Sequence, residues 1–180
     1  MLKYPILLLL LIPSISGIAQ NYTPTDEGSK VHFIIRNFGI NTGGDLHGLK
    51  GKIFFYPGNL QASDFNVSVE VKTIDTDNGS RDKDLRSSKY FDVEKYPLIT
   101  IQSTKIDKTN TSGSYYFTGT ITMHGVTKTI SFPFTATRQG NDYLFIGKFE
   151  VDRLDYGVGE PSSVLSKTAK VSLSIIAKKA

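Results

Sequence analysis

The side chains of this sequence best suited to metal binding or proton transfer are its three histidines. His32, His47 and His124 lie in three separate regions, and none has a partner at the H-x-x-x-H spacing that places two ligands on one helix face. We therefore expect each of them to be a surface or hydrogen-bonded histidine. The sequence predicts no metal site.

Two pairs of nearby aspartates could in principle perform acid–base catalysis. Asp82 with Asp84, and Asp152 with Asp155, would need a pocket that holds both carboxyls at a defined separation. Both pairs have basic neighbours, which are Arg81, Lys83, Arg86 and Arg153. These neighbours favour the interpretation that the aspartates lie in salt-bridged or solvated turns. No G-x-S-x-G, Walker or G-x-G-x-x-G segment is present. The sequence predicts neither an enzyme nor a cofactor.

Composition narrows the class of protein further. The 180 residues include no cysteine and no tryptophan, which excludes disulfides, a Cys-ligated zinc site and a thiol nucleophile. Hydrophobic residues make up 39% and charged residues 21%, as in a folded domain with its own core. The formal net charge is +4, but lysines and arginines are scattered, so no nucleic-acid partner is predicted.

The first nineteen residues have the pattern of an export signal. A short basic start, Met1 to Pro5, precedes the apolar run Ile6 to Ile12, and small residues follow at Gly17 and Ala19. This run is far shorter than the ~20 residues that cross a bilayer. We predict a signal peptide over residues 1–19 and one mature domain over residues 20–180, located in the periplasm or secreted. No transmembrane segment is predicted in the mature chain.

Strict alternation of apolar and polar residues dominates the rest of the chain and predicts an all-β fold. Such a set of antiparallel strands forms either an up-and-down barrel or a two-sheet sandwich. We favour the closed barrel, because closure leaves no exposed edge strand. The eight predicted strands cover 30–37, 48–56, 66–74, 98–106, 114–123, 127–137, 143–151 and 169–177.

One segment, from Thr76 to Pro97, breaks the alternation. Ser80 is a suitable N-cap and acidic residues follow it, which predicts a short helix from Arg81 to about Ser88. The segment is too long for a hairpin turn. We therefore expect the helix, between strands three and four, to lie over one end of the barrel.

The apolar positions of the strands define a predicted inner face. Alternation alone does not distinguish a barrel filled by these side chains from a hollow one that holds a slender ligand. The predicted inner-face residues are Phe33, Ile35, Phe54, Val69, Ile101, Phe117, Ile121, Phe132 and Ile175.

Five segments, in order and almost spanning the mature chain, resemble the YceI-like family of exported bacterial proteins. They are Ser29-x-Val31-x-Phe33-x-Ile35, Gly51-x-Ile53-x-Phe55, Arg81-Asp82-x-x-Leu85 with Tyr90-Phe91-Asp92-x-x-Lys95-Tyr96-Pro97-x-Ile99, Gly119-x-Ile121-Thr122-Met123-His124-Gly125-Val126-Thr127-Lys128, and Asp155-Tyr156-Gly157-Val158-Gly159. The resemblance implies an eight-stranded, lipocalin-like barrel that binds a polyisoprenoid or similar amphiphile in its interior, with no enzymatic activity.

On this interpretation the nine inner-face residues contact the lipid tail. Arg81, Lys83 and Arg86, near the predicted helix, are candidates to attract an acidic head group. Two alternatives stay open: a filled structural barrel that binds a protein partner, and an enzyme that acts on a lipid-like substrate. The sequence is also compatible with a homodimer.

Overall fold

Eight antiparallel strands form a closed barrel in the computed structural model, which describes residues 20–180. Each strand pairs with the next, and β8 closes the barrel on β1. The predicted barrel is confirmed, whereas the predicted signal peptide lies outside the described residues. The strands are β1 (Asn21–Asn37), β2 (Ile40–Phe54), β3 (Asp64–Asp75), β4 (Leu98–Lys108), β5 (Ser114–Met123), β6 (Val126–Gln139), β7 (Asp142–Asp152) and β8 (Leu165–Lys179).

Strands β1 and β2 are longer than the sequence predicts: β1 begins at Asn21 instead of Lys30, and β2 begins at Ile40 instead of Gly48. Gly39, with φ +77°, lies in the turn between the two strands, whereas Gly43 and Gly44 lie in β2. Gly44 pairs with Phe33 across the sheet. A Cβ at Gly44 would come within 2.8 Å of the backbone oxygen of Asp75, so glycine here permits a close approach of two strands.

A bulge in β2 changes which side chains face inward. The pairing of β2 with β3 shifts by one residue between His47 and Lys50, and Gly48 adopts φ +75°. The carboxylate of Asp26 accepts hydrogen bonds from the backbone nitrogens of Gly48 and Leu49, both at 3.0 Å. These two bonds satisfy donors that the irregular ladder leaves free.

The connections divide the barrel into two ends. The upper end carries the β1–β2 turn, the long β3–β4 connection, the β5–β6 turn and the β7–β8 connection with its 3₁₀ helix, Arg153–Tyr156. The lower end carries both ends of the described chain and the β2–β3, β4–β5 and β6–β7 connections; the first of these contains the 3₁₀ helix Leu60–Ala62.

The predicted helix exists but begins earlier than expected. Helix α1 covers Gly79–Arg86, and its N-cap is Asn78 rather than Ser80. The side chain of Asn78 accepts a hydrogen bond from the backbone nitrogen of Arg81 at 3.0 Å, which satisfies one of the free donors of the first turn. Within residues 20–180, no helix is long and apolar enough to cross a membrane.

The lower half of the barrel is filled by aromatic rings. Phe55, which is 2% exposed, makes edge-to-face contacts with five other rings at centroid distances of 5.1–6.4 Å. Each such pair contributes about 0.5–1.5 kcal/mol beyond the burial of its area. The five partners are Phe65, Tyr115, Phe134, Tyr143 and Phe145.

Candidate functional site

The upper half of the barrel encloses a cavity of about 440 Å³. This volume lies within the range of about 300–1,000 Å³ that is typical of small-molecule sites. Its wall is built mainly from the inward aliphatic and aromatic side chains of all eight strands. The barrel is therefore filled in its lower half and hollow in its upper half.

Three phenylalanines of the aromatic cluster form the floor of the cavity. Phe65, Phe134 and Phe145 line it from below and are buried to 93% or more, with 7%, 5% and 6% of their surface exposed. Because Phe55 packs against all three, the floor is supported from beneath. A ligand can therefore extend downward only as far as these rings.

The β3–β4 connection forms the roof. Leu85 from α1, and Tyr90 and Phe91 after it, line the cavity, and all three are half-buried. Asp84 also lines the cavity but is exposed to solvent, so the cavity reaches the surface beside α1. The predicted position of this helix over one end of the barrel is confirmed.

Most of the predicted inner-face residues line the cavity. The structure brings together eight of the nine: Phe33, Ile35, Val69, Ile101, Phe117, Ile121, Phe132 and Ile175. Their contact with a ligand stays a prediction. The lining also includes residues that the sequence reasoning missed, among them Phe149 and Leu173, which alternation along β7 and β8 could have identified.

Phe54 is the exception, and its prediction as an inner-face residue is wrong. Ile53 and Phe55 point inward, with 3% and 2% exposure, whereas Phe54 is half-buried and does not line the cavity. Uninterrupted alternation from the inward Leu46 would have placed Phe54 inside. The bulge at Gly48 shifts the pattern by one residue and turns Phe54 outward.

The three basic residues predicted to attract a head group lie in different settings. Arg81 lines the cavity, where its Nε donates to Thr76 Oγ1 at 2.8 Å and its Nη2 to the Thr76 backbone oxygen at 2.6 Å. Arg86 instead donates from Nη2 to the backbone oxygen of Ile74 at 2.5 Å and does not line the cavity. Lys83 is exposed and also lies outside the lining.

A buried arginine at the upper end was not identified as a site residue from the sequence. Arg153 is 5% exposed and lines the cavity. In the sequence it stands between Asp152 and Asp155, which made it a predicted ion-pair partner. The structure differs: Asp152 pairs with Lys167 at 3.2 Å and accepts a hydrogen bond from the Leu154 backbone nitrogen.

The three histidines have different surroundings in the described residues. His32 Nδ1 lies 2.5 Å from a carboxylate oxygen of Asp45, and this pair is half-buried on adjacent β1 and β2. His47 is exposed. In the part of the chain that the structure describes, no three histidine, aspartate or glutamate side chains are arranged to hold a metal ion. The cavity is suited to burying an apolar molecule.

Two motif residues near α1 have a structural explanation. Asp82 is 6% exposed, and one of its carboxylate oxygens accepts hydrogen bonds from the backbone nitrogen of Thr76 at 3.0 Å and from Thr76 Oγ1 at 2.5 Å. Since Arg81 also binds Thr76, the pair fastens α1 to the end of β3. This arrangement holds the roof in place.

Comparison with known proteins agrees with this architecture. The sequence model of the YceI-like domain matches residues 22–177. UPF0312 protein YE1254 of Yersinia enterocolitica is 34% identical over 130 residues, which are 71% of this chain and 67% of that protein. A UPF0312 protein of Yersinia pestis is 33% identical over the same shares.

Solved structures show the same fold at lower sequence identity. BcnA of Burkholderia cenocepacia superposes with a TM-score of 0.80 and 20% identity, covering 84% of this chain and 98% of BcnA. A polyisoprenoid binding domain from Saccharophagus degradans gives a TM-score of 0.72 and 14% identity, covering 88% and 98%. The YCEI protein of Campylobacter jejuni gives 0.68 and 21%, covering 76% and 84%.

Proposed function

This chain belongs to the YceI-like family, and on that premise we propose that it binds a polyisoprenoid or similar long-chain amphiphile in the upper half of its barrel and catalyses no reaction. The observation that carries the proposal is the apolar cavity, closed below by Phe65, Phe134 and Phe145 and covered above by the β3–β4 connection. The polyisoprenoid binding domain of Saccharophagus degradans, which shares the fold, supports this choice of ligand class.

The energetics of burial favour a long tail. Each buried CH₂ contributes about 0.8 kcal/mol. Association and ordering cost roughly 4–15 kcal/mol, so a ligand must bury well over ten carbons, in order-of-magnitude terms, before it binds tightly. Short apolar molecules would bind weakly, whereas prenyl or acyl chains have enough carbons.

Most of the polar side chains that line the cavity lie at one end, as an amphiphile requires. Asn37, Thr76, Arg81 and Arg153 line the cavity, and all come from the upper ends of strands or from upper connections. Below them the lining is almost entirely apolar. The tail would therefore point toward the aromatic floor and the head toward the upper end.

We propose that the protein acts outside the cytoplasm, in the periplasm or after secretion. The support is the basic start, apolar run and small residues of positions 1–19. A carrier or buffer for membrane-derived lipids is a role consistent with that location. The cavity in the upper half argues against the alternative of a barrel that is filled throughout.

The proposal is tested by native mass spectrometry of residues 20–180, purified from a bacterial periplasm without detergent. We expect a noncovalent adduct whose organic extract is a prenyl or acyl lipid. The delipidated protein should then take up geranylgeraniol. A mass equal to the bare chain, before and after incubation with prenyl and acyl lipids, would refute the proposal.

A matched pair of variants shows whether uptake uses the cavity. Ile101 lines the cavity, whereas its neighbour Gln102 is exposed on the outer face of β4. We expect Ile101→Trp to fill the cavity and lower the geranylgeraniol bound per molecule, while Gln102→Trp leaves it unchanged. Equal uptake by both variants would place the ligand elsewhere.

A further inference from the structure

The turn between β1 and β2 carries exposed apolar side chains. Among residues 20–180, Phe38 and Ile40 are the most exposed of the large hydrophobic residues, at 74% and 70%. Val164, in the β7–β8 connection, is 39% exposed and lies beside them, because its backbone oxygen accepts a hydrogen bond from the Phe38 nitrogen at 2.9 Å. These three residues, here called the apolar tip, stand at the upper end of the barrel.

Neither the turn nor the core accounts for a phenylalanine at position 38. Phe38 and Gly39 have φ values of 49° and 77°, and a two-residue hairpin turn with both values positive favours Asn-Gly or Gly-Gly. A bulky residue with positive φ is rare. Packing does not explain it either, since most of the surface of Phe38 is exposed. The residue therefore points to a function at the surface.

The surroundings of the apolar tip carry positive charge. Residues 28–44 and 161–180, which include the tip, contain no aspartate or glutamate. The exposed Arg36 donates to the backbone oxygen of Gly39 at 3.4 Å, which places its guanidinium beside the turn. Lys167 borders the same surface groove as Arg36, and its Nζ lies 3.2 Å from a carboxylate oxygen of β7, so its charge is partly neutralised. The net charge at the tip is positive and complements an acidic partner.

The apolar tip adjoins the rim of the cavity. Asn37 and Leu165 pair across β1 and β8, and both line the cavity. They are the chain neighbours of Phe38 and Val164, respectively. Thr42 of β2 lines the cavity as well. An apolar molecule that left a surface in contact with the tip would therefore reach the cavity without crossing bulk water.

The size of the apolar tip favours a lipid bilayer over a protein partner. A stable protein interface buries roughly 800 Å² on each side, from about 20–30 residues. The tip offers only three apolar side chains, and the groove beside it is lined largely by serines and cations. A bilayer needs fewer contacts, because each apolar side chain that enters it buries area independently and cations add attraction to acidic lipids.

We propose that the apolar tip docks on the surface of a lipid bilayer that contains acidic lipids. Its three side chains enter the boundary between head groups and acyl chains, while Arg36 and Lys167 face the acidic head groups. Docking places the rim of the cavity at the membrane. This contact does not depend on which ligand occupies the cavity, so it can be tested apart from the proposed function.

A single tryptophan reports docking directly, because the chain has none of its own. The probe is a vesicle of phosphatidylglycerol and phosphatidylethanolamine, added to residues 20–180. We expect the emission of Phe38→Trp to shift to shorter wavelength and to be quenched by brominated acyl chains. Tyr116→Trp, at a 41% exposed position on the wall of β5, is the matched control and should show neither change. The proposal is overturned if Phe38→Trp shows no change or if both variants change equally.

Cosedimentation with the same vesicles measures what the ring contributes. Phe38→Asn supplies the Asn-Gly turn that two-residue hairpins favour, so the variant should fold. We expect its vesicle affinity to fall roughly tenfold, as for an apolar side chain that is no longer buried, while its uptake of geranylgeraniol from solution stays unchanged. Tyr116→Asn should keep the vesicle affinity of the parent. Equal vesicle affinities of Phe38→Asn and the parent would overturn the proposal.

The cations are tested by removing them in pairs. Arg36→Gln with Lys167→Gln should lower the affinity for these vesicles at least roughly fivefold. The matched control, Lys105→Gln with Lys108→Gln, removes the same charge from exposed positions near the lower end of β4. It also includes one lysine paired with an aspartate, as Lys167 is. Equal losses in the two double variants would indicate overall charge and overturn the proposal.

The remaining occupants of the apolar tip are separated by two measurements. Since the vesicles contain lipid alone, failure of the parent to bind them would overturn the proposal and leave a protein partner as the occupant. Sedimentation velocity without vesicles tests self-association, and we expect the parent and Phe38→Asn to sediment alike. A dimer that Phe38→Asn dissociates would assign the tip to a contact between two copies of the chain and contradict membrane docking.

Discussion

Nδ1 of His124 lies 2.9 Å from the backbone oxygen of Tyr156 and joins the β5–β6 turn to the 3₁₀ helix that follows β7. The ring of Tyr96 packs edge-on against His124 at a centroid distance of 4.7 Å, which connects the β3–β4 connection to the same point. The motif residue His124 therefore fastens three upper connections together. Its role is to hold the roof of the cavity, and it does not line the cavity.

We expect His124→Ala to destabilise the protein by about 1–2 kcal/mol. The variant loses the hydrogen bond to Tyr156 and the ring contact with Tyr96, each of which contributes about 0.5–1.5 kcal/mol. Denaturant unfolding measures the change. The control is Lys128→Ala, an exposed residue of the same motif, which should stay within about 0.5 kcal/mol of the parent. Equal stability of the two variants would contradict this role.

The aromatic floor should set the length of tail that the cavity accepts. Phe145 lines the cavity and packs on Phe55 at a centroid distance of 5.3 Å. We expect Phe145→Ala to deepen the cavity and to raise the affinity for geranylgeraniol relative to the shorter farnesol. Competition with a fluorescent apolar probe gives the ratio of the two affinities.

The same variant carries a stability cost of about 3–5 kcal/mol, because it removes a buried ring. Phe145→Leu is the milder substitution and should shift the ratio in the same direction. Tyr116→Ala, on the exposed face of β5, is the aromatic control and should leave the ratio unchanged. If the floor variants keep the parent's ratio, Phe145 does not limit tail length.

Stability should fall at alkaline pH because of three buried tyrosines. Burial raises the pKa of Tyr22, Tyr115 and Tyr156 above the usual 10.0; Tyr143 adds to the effect on the first two and Asp155 to that on the third. The folded state thus retains phenol protons that the unfolded chain releases. Their contribution is fully present below pH 10.0 and is lost as pH rises through the raised pKa values.

Denaturant unfolding at a series of pH values, followed with tyrosinate absorbance, measures this dependence. Tyr156→Phe should make the alkaline decline less steep, while Tyr116→Phe, which removes an exposed phenol, should not. A decline that is equally steep in the parent and in Tyr156→Phe would exclude Tyr156 as a cause.

The barrel follows from the sequence because each strand has one apolar face, and alternation identifies that face wherever pairing is regular. Phe54 was misplaced because a bulge stabilised by the distant Asp26 is invisible in the local pattern. Leu85 and Phe91 line the cavity from a segment without alternation, so no strand pattern could include them.

The hollow upper half could not be predicted for a different reason. Apolar side chains of the same types point inward in both halves of the barrel. Only the distances between them in the folded structure show that they fill the lower half and leave a cavity in the upper half. Arg153 was not predicted as a residue of the site, because its acidic neighbours in the sequence suggested an ion pair. Its actual partners are three backbone oxygens, which sequence spacing does not indicate.

Because the barrel has a packed lower half and a hollow upper half, a bound ligand would form part of the hydrophobic core in the upper half only. Every strand passes from one half to the other, so protection of amide hydrogens from exchange should change along each strand rather than from strand to strand. Amide hydrogens in the lower half would exchange only through global unfolding. Those in the upper half would exchange through local opening, until a bound tail fills the cavity and slows that exchange. Lipid release would then loosen the roof and upper strand ends while the aromatic half preserves the register needed for the next ligand.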